Sequence, residues 1–180
     1  MDSTSGQKAN KKSISNAGPL ARELLALVLK FAVCAVLLVI LFGYVFGIMR
    51  NLSLNMQPAF QDGDLVLYYR IVRKYPAGEV VVIHYEGQEM LSRVAAVAGD
   101  TVDITEDGLV INGSLVQEPG ILGETTLFKE GVTFPLTVPP GMVFVLGDNR
   151  EYAVDSRIFG CIDIKAIDGR VIGLFRRRNF

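Results

Sequence analysis

Leu146-Gly147-Asp148-Asn149-Arg150, followed shortly by Asp155-Ser156-Arg157-Ile158-Phe159-Gly160, is the most discriminating stretch of this 180-residue chain. The run that leads into it, Met142-Val143-Phe144-Val145-Leu146, is apolar and β-branched and reads as a strand. The amides and charges that follow therefore belong to a loop at a strand end. A Gly-Asp pair alone says nothing, but this ordered set of charges and small residues is specific. Its simplest physical role is framework: Asp148, Asn149, Arg150, Asp155 and Arg157, with Arg93 upstream, are expected to hold loops together by hydrogen bonds and ion pairs.

Working outward, Leu65-Val66-Leu67-Tyr68-Tyr69, Val80-Val81-Val82-Ile83 and Met90-Leu91-Ser92-Arg93-Val94-Ala95 carry the same strand composition. Leu109-Val110-Ile111 and Ser114-Leu115-Val116 are joined by Asn112-Gly113, the pair that a tight hairpin turn favours. Residues Glu118 to Pro140 are punctuated by Gly and Pro and read as a long connection around the sheet. Asn51-Leu52-Ser53 and Asn112-Gly113-Ser114 match the glycosylation acceptor pattern, although turn and groove readings explain them equally well. The fold class expected is all-β over residues 50–180.

Residues 1–49 are different in kind. Phe31 to Met49 is a run of 19 residues without a charge, enough helix to span roughly 28 Å, close to the thickness of a bilayer core. It is too long for a cleaved secretory signal and no small-residue cleavage site clearly follows it. We expect a disordered cytoplasmic tail over 1–18, a juxtamembrane and transmembrane helix over 19–49, and a single extracytoplasmic domain over 50–180. Lys8, Lys11, Lys12, Arg22 and Lys30 precede the run against only Asp2 and Glu23, which predicts a cytoplasmic N-terminus in the cell membrane. Beyond residue 49, thirteen basic residues face seventeen acidic ones, so nucleic acid is not an expected partner. Arg176-Arg177-Arg178 reads as a solvated tail, and Cys34 and Cys161 are too differently placed to pair. No metal site and no cofactor are expected.

Between the span and the final boxes lie Ser53-Leu54-Asn55-Met56-Gln57-Pro58-Ala59, then Gly63-Asp64-Leu65-Val66-Leu67, then Ser92-Arg93-Val94 leading to Gly99-Asp100. In this order, behind a membrane anchor, they resemble the signal peptidase I family of S26-type membrane serine peptidases. The resemblance covers nearly all of the chain after residue 30. It implies a β-barrel-like core with a hairpin extension on a single N-terminal transmembrane helix. It also implies a peptide groove formed by Ser53, Leu54, Asn55, Met56, Pro58, Leu91, Ser92 and Ala153, in which an extended substrate pairs as an added strand. Asn55 would lie within roughly 20 Å of the membrane if the span ended at Met49. Core packing explains Met56 and Pro58 about as well.

At three of these positions the chain departs from the family. Asn55 stands in the place of the nucleophilic serine, Ser92 in that of the lysine base, and Ala153 in that of the serine that hydrogen-bonds the lysine. A carboxamide nitrogen is delocalised and is no comparable nucleophile, and a serine has no amine lone pair to act as base. The resulting expectation is a catalytically inactive homologue, a membrane-anchored chaperone or assembly factor for exported proteins such as pilins, of the kind associated with Gram-positive pilus assembly and sortase machinery. The alternative is an active type I signal peptidase with a rewired dyad, for which Ser53, Ser92, Ser156 and His84 are the residues to consider. Ser53 matches an oxyanion-hole position. His84, the single histidine, lies about 10 Å from Ser92 if Gly87 centres a hairpin turn. A solvated strand-end histidine is the plainer reading.

Overall fold

A computed structural model describes residues 18–72, 74–128 and 131–176. The expected tail over 1–18 falls outside the described residues except for Gly18, as do Arg177 and Arg178. The chain forms two compact units, residues 1–40 and 41–180. In the first, α1 (Pro19–Ile40) begins at a proline, whose fixed φ suits the first turn of a helix. No residue of α1 is buried against protein, and helical backbone continues as a π-turn through Val45. The segment Pro19–Val45 has a mean hydropathy of 3.0 over its most apolar window and is long and apolar enough to cross a membrane.

Helix does not reach Met49. Phe46–Arg50 is strand β1, whose Gly47 and Met49 turn inward while Ile48 and Arg50 face out. Gly47 lies against the Tyr68 ring, where any Cβ would collide with the aromatic carbons. The strand pairs with β2 (Leu65–Tyr69), and burial of Met49 outweighs continuation of the helix. The link to Asn55 therefore contains a strand, which the distance argument from Met49 leaves out.

Nine more strands follow among the described residues of the second unit: β3 (Val80–Tyr85), β4 (Gln88–Val97), β5 (Thr101–Thr105), β6 (Gly108–Ile111), β7 (Ser114–Leu115), β8 (Leu136–Thr137), β9 (Met142–Leu146), β10 (Ile162–Asp163) and β11 (Ile167–Phe175). One sheet has the order β1-β2-β11-β3-β4-β9-β10, with every pair antiparallel, and the other runs β7-β6-β5-β8. This is the mostly-β domain behind one apolar helix that the sequence predicts. The Asn112-Gly113 hairpin is present, with both residues at positive φ (54° and 77°) as a tight turn requires, and it forms part of the smaller sheet.

Among the described residues, three apolar clusters fill the interior. Met56, Phe60, Val66, Tyr68, Val82 and Leu91 pack beneath the start of the sheet. Val81, Ile83, Val94, Val143, Val145 and Ile167 fill its middle, and Ala96, Val102, Ile104, Leu109, Phe144 and Leu146 join the two sheets. The first of these carries the loop that holds Asn55.

Candidate functional site

The segment between β1 and β2 is a loop pinned at its root by Asn51. That side chain is buried; its Nδ2 donates to the carbonyls of Ser53 and Gln61 (3.0 Å each), and its Oδ1 accepts from Ser53 N–H (3.4 Å). A turn follows in which Ser53 Oγ accepts the N–H of Asn55 at 3.0 Å. Met56 then plunges into the core, and its sulfur receives the N–H of Asp148 at 3.5 Å. The thioether is thus an anchor for the loop, and Met56 and Leu91, both 0% exposed, are core residues rather than walls of a groove. Leu54 and Pro58 are exposed, and Ser53 and Asn55 are half-buried.

A second loop, residues 147–155, closes on the first. Asn149 N–H donates to the Asn55 carbonyl at 2.9 Å and Asn149 Nδ2 to the Leu54 carbonyl at 3.2 Å. Gly147 makes this approach possible: a Cβ there would overlap Ala153 Cβ and lie 2.6 Å from the Asn55 carbonyl oxygen. Ala153 is in turn fixed by its N–H to the Asn149 carbonyl, 2.9 Å.

Ser92 reaches the same face from β4. The register Arg93↔Leu146, carried one step further, sets Ser92 opposite Gly147, and opposed residues of an antiparallel pair share a face of the sheet. Asn55, Ser92 and Ala153 are thereby gathered on one side of the strands. Ser92 is 1% exposed, and its hydroxyl has no hydrogen-bond partner among the described residues.

Charges brace the loops from behind. Arg93 donates through Nε and Nη2 to the two oxygens of Asp148 (2.8 and 2.6 Å) and through Nη1 to the Gly78 carbonyl. These contacts hold the Arg93 guanidinium above its already high pKa. Asp155 accepts from Gly147 N–H and caps α2 (Ser156–Phe159), while Arg157, wholly buried, grips Asp155 and stacks on Phe128. Arg150 bonds the Gly147 carbonyl, Thr125 and Glu118.

Two of the four residues considered for a rewired site are disposed of by geometry. Ser156 Oγ accepts the N–H of Val145 in the core. His84 opposes Glu89, three pairs from the Val81↔Ser92 pair, and its exposed imidazole lies 3.9 Å from Asp168. The loop anchors Asn51 and Gly147 were not singled out by sequence reasoning. Asn51 carried only a misleading glycosylation pattern, and nothing marks Gly147 as a point of close approach except its place before the charged loop.

Residues 24–175 match the sequence model of the family described as "Signal peptidase, peptidase S26". The chain is 36% identical over 128 residues to signal peptidase I of Bacillus licheniformis, covering 64% of this chain and 68% of the relative. It is 33% identical over 159 residues to signal peptidase I of Bacillus caldolyticus (78% and 84% covered) and 33% identical over 171 residues to signal peptidase IB of Staphylococcus aureus (84% and 89%). A crystal structure of a signal peptidase I from Enterococcus faecalis V583 covers 56% of this chain and 99% of its own, with a TM-score of 0.45 and 29% identity.

These relatives correct the expectation of an inactive chaperone or pilin assembly factor, because they are named as peptidases and span most of the chain. Asn55 and Ser92 alone do not decide inactivity, because Ser53, which matches an oxyanion-hole position, is also a half-buried serine in the same loop. By the match over residues 24–175, the chain belongs to the signal peptidase family, peptidase S26.

Proposed function

We propose that this protein is a membrane-anchored signal peptidase that hydrolyses the bond joining a signal peptide to an exported protein, and that Ser53 supplies the attacking hydroxyl. The similarity to proteins named signal peptidase I and IB over most of the chain carries the reading. In it, Asn55, Ser92 and Ala153 occupy the places of the family's serine, lysine and supporting serine. Ser53 is chosen because its hydroxyl is half-exposed, whereas those of Ser92 and Ser156 are buried. The N–H of Asn55 pointing at Ser53 Oγ favours negative charge on that oxygen.

The chemistry balances without a cofactor. Ser53 Oγ bonds to the scissile carbonyl carbon and the carbonyl electron pair moves to its oxygen. The pair then returns, the C–N bond breaks, and the hydroxyl proton leaves with the amine. Water hydrolyses the resulting ester, freeing the signal peptide's carboxylate and restoring the hydroxyl. No general base adjoins Ser53 among the described residues, which costs roughly 10²–10⁴ in rate against a site that has one. In this reading the N-terminus is cytoplasmic and the domain lies outside, where exported proteins emerge.

The test uses the full chain in phospholipid vesicles, with a preprotein whose signal ends in Ala-x-Ala. Slow release of the mature N-terminus, lost in Ser53→Ala and kept in His84→Ala, is expected. Absence of cleavage by the wild-type chain over days would remove the peptidase reading. Cleavage that survives Ser53→Ala but not Ser92→Ala would move the nucleophile to Ser92.

A further inference from the structure

Three asparagines line the closure of the two loops, and they use their side chains differently. Asn51 and Asn149 donate through Nδ2 to backbone carbonyls and so serve the fold. Asn55 is held only by its backbone, its N–H on Ser53 Oγ and its carbonyl on Asn149 N–H. Its own carboxamide makes no hydrogen bond among the described residues and stays half-exposed. The backbone is tied at both its N–H and its carbonyl, and the side-chain donor is idle. Asn55 N–H donates to Ser53 Oγ, so the unused carboxamide and the half-buried Ser53 belong to one short turn.

An uncharged N–H donor carried on the same turn as a nucleophile suits a developing oxyanion, since it can stabilise the charge as it appears. A carboxamide supplies two such hydrogens and keeps them at every physiological pH. We infer that Asn55 is a catalytic residue whose Nδ2–H donates to the scissile carbonyl oxygen as that oxygen takes up the electron pair displaced by Ser53 attack. This rests on the peptidase reading above and assigns within it a role that exchanges two positions: the hydroxyl at 53 attacks and the side chain at 55 stabilises. The amide then has a use that a failed nucleophile would not.

The assignment is tested with Asn55→Ala and Asn55→Asp in the full chain in vesicles. Both keep the backbone hydrogen bonds that hold the loop, so folding is expected to survive, and a thermal melt checks it. Two probes of one sequence separate transition state from ground state. A peptide ending in an alanine aldehyde adds the serine hydroxyl to give a tetrahedral oxyanion; the same peptide ending in a primary amide does not react. We expect both variants to lose roughly 10²–10³ in kcat with KM unchanged. Aldehyde inhibition should weaken by a similar factor and amide binding should not change.

Wild-type rates in folded Asn55→Ala, or equal losses for aldehyde and amide, would overturn the role of Asn55. The first would leave the peptidase reading standing if Ser53 dependence persists, and the second would make Asn55 a shaper of the groove. A wild-type chain that neither cleaves nor binds the aldehyde better than the amide would instead remove both.

Discussion

Arg93, in the middle of β4, and Asp148, just past the end of β9, form a two-bond pair, Nε to Oδ1 at 2.8 Å and Nη2 to Oδ2 at 2.6 Å. Each is the chain neighbour of a site residue, Ser92 on one side and Gly147 on the other. The pair thus fixes the spacing between the strand that carries Ser92 and the loop that receives Asn55. Its two ends are unequal, because the Asp148 side chain is 1% exposed and that of Arg93 is 33% exposed.

That inequality predicts asymmetric mutants. Arg93→Ala strands a buried carboxylate and is expected to cost about 3–5 kcal/mol, while Asp148→Ala leaves a guanidinium that can turn to water and costs less. Denaturant melts of the two variants measure the difference. Equal losses would mean that Asp148 gains water access once its partner is gone.

Gly147→Ala should be harmful although it adds only a methyl group. The new Cβ would overlap Ala153 and press on the Asn55 carbonyl, and overpacking of this kind costs about 1–3 kcal/mol. Relief requires Asn55 to move, so kcat should fall further than stability alone explains. A variant with full turnover and an unchanged melt would show that the loops yield easily.

Much of the fold was legible in the sequence. The runs at 65–69 and 142–146 became strands with those ends, and Asn112-Gly113 announced its hairpin. Strand β1 was not legible, because Phe46 to Met49 is apolar on every side and joins the membrane run without a break. Strand β11 was also missed: Asp168, Gly169, Arg170 and Gly173 dilute its pattern, and it is stabilised by lying between two partners, β2 and β3. At the site, the boxes located the loops, but a sequence pattern carries no record of which side chains remain idle. Asn149 spends its amide on the Leu54 carbonyl, while that of Asn55 makes no hydrogen bond among the described residues, a difference that only the folded loops reveal.

Asp64 should make stability depend on acid. Hydrogen bonds from Arg176 and from Gln61 N–H hold its carboxyl below the usual 3.8, outweighing burial, which acts the other way. The folded state therefore favours the carboxylate. Its contribution is complete above the unfolded value and is lost as pH falls through the depressed folded value. Asp64→Asn should lower Tm at pH 7, and the gap to wild type should close below pH 3.8. A gap that persists undiminished at low pH would assign the loss to packing.

Orientation can be read with one added thiol. Glu106 is exposed in the turn between β5 and β6, so Glu106→Cys, made with Cys34 and Cys161 replaced by alanine, should react with a membrane-impermeant maleimide on intact protoplasts. Labelling only after lysis would place the domain inside and reverse the proposed topology.

The strongest test of the scaffold is restoration of the family's own residues: Asn55→Ser, Ser92→Lys and Ala153→Ser together. A lysine introduced at 92 would enter a buried, apolar face where the present hydroxyl has no partner among the described residues. Desolvation there disfavours the ammonium and lowers the amine's pKa, which is what a general base working near neutrality needs. A serine at 153, on the neighbouring backbone, would offer it a hydrogen bond. With a base present, signal-peptide cleavage by the triple variant should rise roughly 10²–10⁴ over wild type. The attacking hydroxyl would then come from position 55, so adding Ser53→Ala should reduce turnover without abolishing it, in contrast to its effect on the wild-type chain. The partial variant Ser92→Lys alone lacks the serine at 55 and should gain much less. If the folded triple variant turns over no faster than wild type, Asn55 and Ser92 do not face each other as β4 and the 147–155 loop suggest, and the positions assigned to the family's serine and lysine would have to be redrawn.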